Sequence, residues 1–322
     1  MKEIKTIGVL TSGGDAPGMN AAIRAVARAA LHYKKRVIGI NNGYKGLLDC
    51  DVCELHYRDV SGIIHRGGTI LKTARCLEFV KPEGVQKAVE NAKKLEIDAL
   101  VVIGGDGSFR GALDMARAGF PVIGIPGTID NDIGCSEYTL GFDTALNTAC
   151  TAIDKIRDTC SSHNRCSVVE VMGRNAGFLA VSVAVATGAE AYLIPEKEYD
   201  IDEVCKVISE NISVGKGHYL VVVAEGVGGV NALSKTIEEK TGIETRATTL
   251  GYIQRGGDAS VKDRVMASKM GLMAVELLLE GRTNEVIVVK NNELTTYNIE
   301  EALKMKKEID HELCRVTDTL TY

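Results

Sequence analysis

The sequence predicts an α/β protein whose mainly parallel sheets are covered by helices. Three observations carry that prediction. Short apolar runs alternate with longer helical segments along the chain; several runs, such as Ala99-Leu100-Val101-Val102-Ile103, are apolar at consecutive positions; and glycine-rich turns join run to helix. Strands covered on both faces lose the apolar–polar alternation of half-exposed ones, which is why consecutive apolar residues point to a parallel sheet. In order, a strand over 4–10 passes through a glycine turn into a helix over 18–32, and a strand over 37–40 precedes a helix over 84–95. Strand 99–103 leads to helix 109–118, strand 121–126 to helix 139–160, and strand 167–171 to helix 175–187. Strands 191–194 and 218–224 flank a helix over 201–212, and a helix over 260–279 precedes a last strand over 286–289.

Length and composition narrow the function classes. At roughly 100 to 200 residues per domain, 322 residues fit two domains or one large one; two are expected, with a division near residue 141 where the glycine-rich loops give way to arginine-bearing ones. The longest uncharged apolar-rich stretch lies between Arg174 and Glu190 and is interrupted by Ser182, Thr187 and Gly188. It falls short of the ~18 to 20 residues of a membrane span, so no membrane association is expected. The start, Met1-Lys2-Glu3-Ile4-Lys5, has no signal-peptide h-region and reads as cytoplasmic. Nine cysteines, an odd number, predict reduced thiols rather than a disulfide framework. Cys50 and Cys53, followed by His56, have the spacing of half a zinc site or a redox pair, and no second close pair completes it. A net charge of -5 argues against nucleic-acid binding, so an anionic ligand has to be caught by a local basic cluster.

In open parallel sheets ligands bind beyond the carboxyl ends of the strands. Five loops there carry unusual chemistry. Thr11-Ser12-Gly13-Gly14-Asp15-Ala16-Pro17-Gly18 joins a strand to a helix, and its paired glycines let backbone amides approach a phosphate, unless they serve only a tight turn. Gly104-Gly105-Asp106-Gly107-Ser108 embeds a carboxylate among glycines, which suits Mg²⁺ beside nucleotide phosphates. Pro126-Gly127-Thr128-Ile129-Asp130-Asn131-Asp132 puts two carboxylates and a hydroxyl at one strand end. A catalytic base near a metal-bridged phosphate explains that crowding, whereas a helix cap plus an Asx turn explains only one carboxylate. Met172-Gly173-Arg174-Asn175-Ala176-Gly177 offers an arginine for a transferring phosphoryl group. Gly251-Tyr252-Ile253-Gln254-Arg255-Gly256-Gly257, with Arg246 before it, adds two more arginines of the kind loops usually leave solvated. Gly-x-x-x-x-Gly-Lys-Ser/Thr and a helix-opening Gly-x-Gly-x-x-Gly are both absent, which removes the main support for a P-loop NTPase or a dinucleotide dehydrogenase.

Six motifs in order, the first three loops together with Ile64-His65-Arg66-Gly67-Gly68-Thr69-Ile70-Leu71, Glu170-Val171-Met172-Gly173-Arg174 and Gln254-Arg255-Gly256-Gly257, resemble the bacterial ATP-dependent 6-phosphofructokinases. The likeness runs from Ile7 to about Leu279. It implies the fold of that family, two Rossmann-like domains: residues 1–141 plus 254–304 for ATP, and 142–253 plus 305–322 for the sugar phosphate. It also implies the glycolytic reaction, in which MgATP phosphorylates the 1-hydroxyl of fructose 6-phosphate in a cleft between the domains. By resemblance, Asp130 is the proton acceptor with Thr128 and Ile129 beside it, Asp106 is the Mg²⁺ carboxylate, and Asp132 is a second contributor. Gly14, Arg75, Cys76, Gly105, Asp106, Gly107 and Ser108 match ATP positions, with Tyr44 nearby. Arg75 and Arg174 face the charge shared by donor and acceptor, where phosphoryl transfer needs help.

Met172, Gly173, Glu225 and Arg255 match sugar-phosphate positions, and Arg165 and Arg246 match residues reaching in from a neighbouring subunit, which implies a homotetramer. Tyr252 stands where relatives often carry His; it donates a hydrogen bond to phosphate but brings no positive charge. Arg24, Arg28, Arg157, Glu190, Lys216 and His218 match the effector site for ADP or phosphoenolpyruvate, although Arg24 and Arg28 also fit a solvated helix face. Gly62, Val214 and Gly217 replace side chains that are often charged in relatives, so an altered effector site is expected. A pyrophosphate-dependent phosphofructokinase generally has Asp and Lys where this chain has Gly107 and Gly127, glycines that leave room for a nucleotide. A non-catalytic sugar-phosphate binder should have lost the acids that Asp106, Asp130 and Asp132 retain.

Overall fold

A computed structural model describes residues 3–320 of the chain. Met1, with which the reading of the N-terminus begins, and the outermost ends of the two expected domains lie outside the described residues. The strands are β1 (Thr6–Ser12), β2 (Arg36–Ile40), β3 (Val52–Glu54), β4 (Ala99–Gly104), β5 (Val122–Pro126), β6 (Cys166–Val171), β7 (Ala191–Leu193), β8 (Tyr219–Ala224), β9 (Thr245–Thr249), β10 (Glu285–Lys290) and β11 (Glu293–Asn298). The helices are α1 (Met19–His32), α2 (Tyr44–Asp49), α3 (Pro82–Lys94), α4 (Asp106–Arg117), α5 (Phe142–His163), α6 (Phe178–Thr187), α7 (Ile201–Ser213), α8 (Val230–Thr241), α9 (Val261–Leu279), α10 (Ile299–Ala302) and α11 (His311–Leu320), with a 3-10 turn over Gly251–Arg255.

The chain forms two compact units. The first holds the described residues up to Ile129, then Ile133–Thr144 and Arg255–Lys307; the second holds Asp130–Asp132, Ala145–Gln254 and the described residues from Glu308 onward. In the first unit the sheet order is β11-β10-β5-β4-β1-β2-β3. Its inner pairs are parallel, and the edges β3 and β11 pair antiparallel to their neighbours. Every residue of β4 and β5 is buried, the pattern of strands covered on both faces. Helix α9 lies against α1 at small residues: a Cβ on Gly271 would sit 2.5 Å from the Ala25 Cβ, so only glycine permits this approach. The second unit has an all-parallel sheet, β7-β8-β6-β9, whose strand β8 is wholly buried.

The mainly parallel α/β expectation holds. Strands β3, β9 and β11 and helices α2, α8, α10 and α11 were not expected from the sequence. Each of those strands lies at a sheet edge and carries exposed positions, so no continuous apolar run marks it. Helix α8 buries only Val230, Ser234 and Ile237. The helix expected over 139–160 starts instead at Phe142, because Leu140 bridges Gly127 and Gly141 takes φ +104°, a left-handed conformation that glycine accommodates. The helix expected over 109–118 starts at Asp106, which puts the acid of the second glycine loop into a first helical turn. Among the described residues no helix is long and apolar enough to cross a membrane.

Candidate active site

Strands β1, β4 and β5 are adjacent and parallel, with Ser12 paired to Gly104 and Gly104 to Pro126, so their C-terminal ends finish level. The three loops leaving those ends therefore share one edge of the first sheet. Gly13, at φ +88°, would place a Cβ 3.5 Å from the Ser108 Oγ, and a Cβ on Gly105 would lie 4.0 Å from the Thr128 Cβ. The Gly127 amide donates to the Gly104 carbonyl at 3.0 Å, tying the third loop to the second.

Gly105 is the N-cap of α4, and Asp106, Gly107 and Ser108 form its first turn. Helix N-termini carry unsatisfied amides and positive potential, a setting for phosphate. A Cβ on Gly107 would meet nothing within 4 Å, whereas one on Gly104 would lie 2.4 Å from both the Ser108 Oγ and the Ser12 carbonyl oxygen. Gly107 thus faces open space and Gly104 is required by packing. The room expected at Gly127 is not there: its Cβ would press at 3.2 Å on both the Ile103 Cγ2 and the Met19 Cε, because the position is buried against the core.

Tyr44 lies beneath this edge rather than on it. Its ring is buried, stacks on Phe79 with centroids 4.1 Å apart, and its hydroxyl donates to the Ser108 carbonyl at 2.6 Å. It supports the start of α4 from within the core. The segment carrying Arg75 and Cys76 follows a stretch anchored to the first loop. The Thr73 hydroxyl donates to the Gly13 carbonyl at 2.7 Å, the buried Asn20 amide donates to the carbonyls of Arg66 and Gly67, and the Asn20 Oδ1 accepts from the Ile70 amide. Arg75 itself is exposed and Cys76 half-buried. Gly14 is exposed and approaches the Arg255 guanidinium, whose Cζ would lie 3.3 Å from a Cβ at that glycine. Asn20 was not legible as a site-shaping residue, although a buried polar residue on an otherwise apolar helix face is the signal that finds it.

Thr128 is half-buried, and Ile129 and Asp130 are buried. Asn131 takes φ +53°, a left-handed turn between the two carboxylates of Asp130 and Asp132. Non-glycine residues in that region are uncommon, and asparagine is enriched among them.

In the second unit, Met172, Gly173, Arg174 and Glu225 come together beyond the ends of β6 and β8. The Glu225 carboxylate accepts from the Arg174 amide, and the Met172 amide donates to the Gln254 Oε1 at 3.3 Å. Gly173 at φ +140° and Arg174 at φ +59° give a turn that leaves the Arg174 side chain exposed. Arg165 pairs with Glu244 at 2.7 Å and Arg246 pairs with the same carboxylate. The Arg165 guanidinium is the larger cause holding the Glu244 carboxyl below its ordinary range. Tyr252 stands out 78% exposed on the 3-10 turn.

The residues matched to an effector site form one group in each unit. In the second unit the buried Glu190 pairs with Lys216 and accepts from the Leu220 amide at 2.6 Å, while Arg157 donates to the Thr187 carbonyl. Burial pushes the His218 pKa below its ordinary value; Glu190 opposes the shift, and Arg157 and Lys216 reinforce it. In the first unit Arg24 and Arg28 are neighbours on α1, and burial followed by the Arg28 charge lowers the Arg24 pKa. Cys50 and Cys53 are both exposed, and the Cys53 thiol lies 3.7 Å from the Gly39 carbonyl.

Among the described residues no group of three or more His, Cys, Asp or Glu side chains is arranged to hold a metal ion. Mg²⁺ typically takes one or two carboxylates and fills its shell with phosphate oxygens and water. Asp106, in the first turn of α4 beside open Gly107, fits that role.

Level strand ends, glycine loops and a carboxylate opening a helix define a phosphate-handling α/β protein. The family profile described as Phosphofructokinase matches residues 6–278. The chain is 54% identical over 99% of its length, and over all of the relative's, to an ATP-dependent 6-phosphofructokinase of Clostridium novyi. Phosphofructokinase from Saccharomyces cerevisiae matches with a TM-score of 0.88 and 35% identity over 98% of this chain, which spans about half (48%) of the yeast chain. A pyrophosphate-dependent phosphofructokinase from Marinobacter aquaeolei shares the fold with a TM-score of 0.87 at 21% identity, covering 99% of this chain and 91% of that one. The chain belongs to the phosphofructokinase family.

Proposed function

We propose that this protein is an ATP-dependent 6-phosphofructokinase, transferring the terminal phosphoryl group of ATP to the 1-hydroxyl of fructose 6-phosphate to give fructose 1,6-bisphosphate and ADP. The observation that carries this reading is the shared edge of the three strand-end loops, with Asp106 opening α4 and Gly107 facing open space beside it. The identity with the Clostridium novyi enzyme supports ATP as donor.

ATP phosphates rest on the amides of Gly14 and of Gly105, Asp106, Gly107 and Ser108, with Arg75 and Cys76 alongside; Tyr44 holds the loop from below. Asp106 would hold Mg²⁺, which would supply positive charge to neutralise the phosphates. Asp130 accepts the proton of the sugar 1-hydroxyl as its oxygen bonds to the γ-phosphorus and the bond to the bridging oxygen of ADP breaks. Thr128 and Ile129 flank the acceptor, and Arg75 and Arg174 offset the charge shared during transfer. Met172, Gly173, Glu225, Tyr252 and Arg255 hold the sugar phosphate, with Arg165 and Arg246 supplied by a neighbouring copy in a homotetramer. Before such a phosphate binds, Glu244 keeps both arginines in place. The first unit is the nucleotide half and the second the sugar half. Arg24, Arg28, Arg157, Glu190, Lys216 and His218 receive an ADP or phosphoenolpyruvate effector, in a cytoplasmic enzyme.

The test is positional. With fructose 6-phosphate and ATP labelled at the γ-phosphate, aldolase cleavage of the product should put all label in dihydroxyacetone phosphate, which carries the 1-phosphate. Label in glyceraldehyde 3-phosphate, or no labelled product, overturns the reading.

A further inference from the structure

Asp263, the third residue of α9, is fully buried (0% exposed), and the hydrogen bonds it accepts come from neutral groups among the described residues. Five donors converge on it. Its Oδ1 accepts from the Tyr138 hydroxyl at 2.5 Å and the Gly141 amide at 2.7 Å; its Oδ2 accepts from the Thr144 amide at 3.0 Å, the Thr144 hydroxyl at 2.5 Å and, at 3.5 Å, the Ser260 hydroxyl. The Thr144 hydroxyl also accepts from the Ser260 amide at 2.9 Å, and Ser260 caps α9 by accepting from the Asp263 amide. Burying a carboxylate is costly unless it is well paired, and a group that only accepts suits several donors at once. Burial pushes its pKa above the ordinary carboxylate value, and the hydrogen bonds from Thr144, Tyr138 and Gly141 oppose the shift.

What these bonds hold is the strap 138–144, and the strap touches the loops already assigned to the reaction. The Thr139 hydroxyl donates to the Thr128 carbonyl at 2.6 Å, and the Leu140 amide donates to the Pro126 carbonyl at 2.9 Å. Gly141 packs so close to the first glycine loop that a Cβ there would lie 2.7 Å from the Ala16 Cβ and 3.2 Å from the Pro17 carbonyl oxygen. A Cβ on Gly18 would in turn lie 3.4 Å from the Asp263 Cβ. On the other side, Asp263 lies in the first turn of the helix that follows the Arg255-Gly256-Gly257 loop. One buried carboxylate is therefore common to the segments carrying Gly14, Thr128 and Arg255.

We infer that Asp263 is a positioning residue for phosphoryl transfer, fixing the strap 138–144 so that the loop leading through Thr128 into Asp130 is held in register with the phosphate loop. It touches no substrate. The inference rests on the kinase reading, and it predicts a loss of turnover rather than of binding, since misplacing a reacting group by about 1 Å can cost on the order of 100-fold in rate.

The test uses the full chain and four proteins: wild type, Asp263→Asn, the milder Tyr138→Phe, and Met270→Ala, which opens a cavity in the same helix at a fully buried position. All are assayed well below their unfolding temperatures. Asp263→Asn should lower kcat by about tenfold or more with both KM values within about threefold, and Tyr138→Phe should do so to a lesser degree. Met270→Ala should lose stability while keeping kcat. Hydrogen exchange supplies a readout that needs no substrate: the Leu140 amide, which is bonded to Pro126 and not to Asp263, should exchange faster in both strap variants. The Leu100 amide, bonded to Pro121 at the far end of the same strands, should not. If Asp263→Asn fails to fold, Tyr138→Phe carries the test. Unchanged kcat in the strap variants, an equal kcat loss in Met270→Ala, or unaltered Leu140 exchange overturns the inference. Absence of wild-type turnover overturns the kinase reading, and the exchange data then decide the link between Asp263 and the strap on their own.

Discussion

At the scale of single residues, burial separates close neighbours. Asp130 and Asp132 are separated by one residue, yet Asp130 is buried and Asp132 only half so, with the left-handed Asn131 between them turning the chain. His218 shows what burial does to a titratable ring. Burial holds its folded pKa below the ordinary 6.5, with Arg157 and Lys216 reinforcing the shift against Glu190. The sign follows from linkage: the fold favours the neutral ring, so the stability this provides is fully present above the unfolded value and is lost as pH falls through the lower folded value. The unfolding temperature should therefore decline as pH falls from about 7.5 toward about 5, and His218→Gln should flatten part of that decline. A variant with the same acid slope as wild type would remove His218 from the account.

At the scale of elements, the first turn of α4 gives the sharpest prediction, because two neighbouring glycines differ in what a side chain would meet. Gly107 faces open space, so Gly107→Asp should leave the unfolding temperature nearly unchanged. Its new carboxylate would nonetheless oppose nucleotide phosphates, and the KM for ATP should rise roughly tenfold or more. Gly104→Ala, whose Cβ would meet backbone at 2.4 Å, should instead lower stability. An unchanged ATP KM in Gly107→Asp would place the phosphates elsewhere. This contrast was not legible in the sequence, where both positions read as glycines of one loop and Gly127 read as equally open. Buried parallel strands such as β4 and β8 declare themselves by consecutive apolar residues, and the glycine loops by their place after such runs. Edge strands such as β9, Thr245-Arg246-Ala247-Thr248-Thr249, do not, since one side of the strand has no neighbour to bury. Supports such as Tyr44, Asn20 and Asp263 work through hydrogen bonds to residues 46 to 125 positions away, which no local pattern encodes.

At the scale of the whole molecule, the two arginines that share Glu244 carry the claim of a homotetramer with shared sites. Exposed ion pairs contribute little to stability. Arg246→Ala should therefore leave the fold intact and raise the KM for fructose 6-phosphate on the order of 10- to 100-fold, with a smaller effect on kcat, since a lost charge-assisted hydrogen bond to phosphate is a loss of binding. Sedimentation should give four copies per particle for the wild type and the variant alike. Unchanged sugar-phosphate saturation would contradict the shared site.

The central claim is that this fold uses ATP to phosphorylate fructose 6-phosphate with Asp130 as the base. Its most direct test is steady-state formation of fructose 1,6-bisphosphate with Mg²⁺ present, comparing ATP with pyrophosphate as donor and wild type with Asp130→Ala. Turnover is expected with ATP and none with pyrophosphate, with kcat lowered by about 10²- to 10⁴-fold in the variant at nearly constant KM. Turnover with pyrophosphate alone, or an Asp130→Ala protein that turns over like wild type, would contradict it.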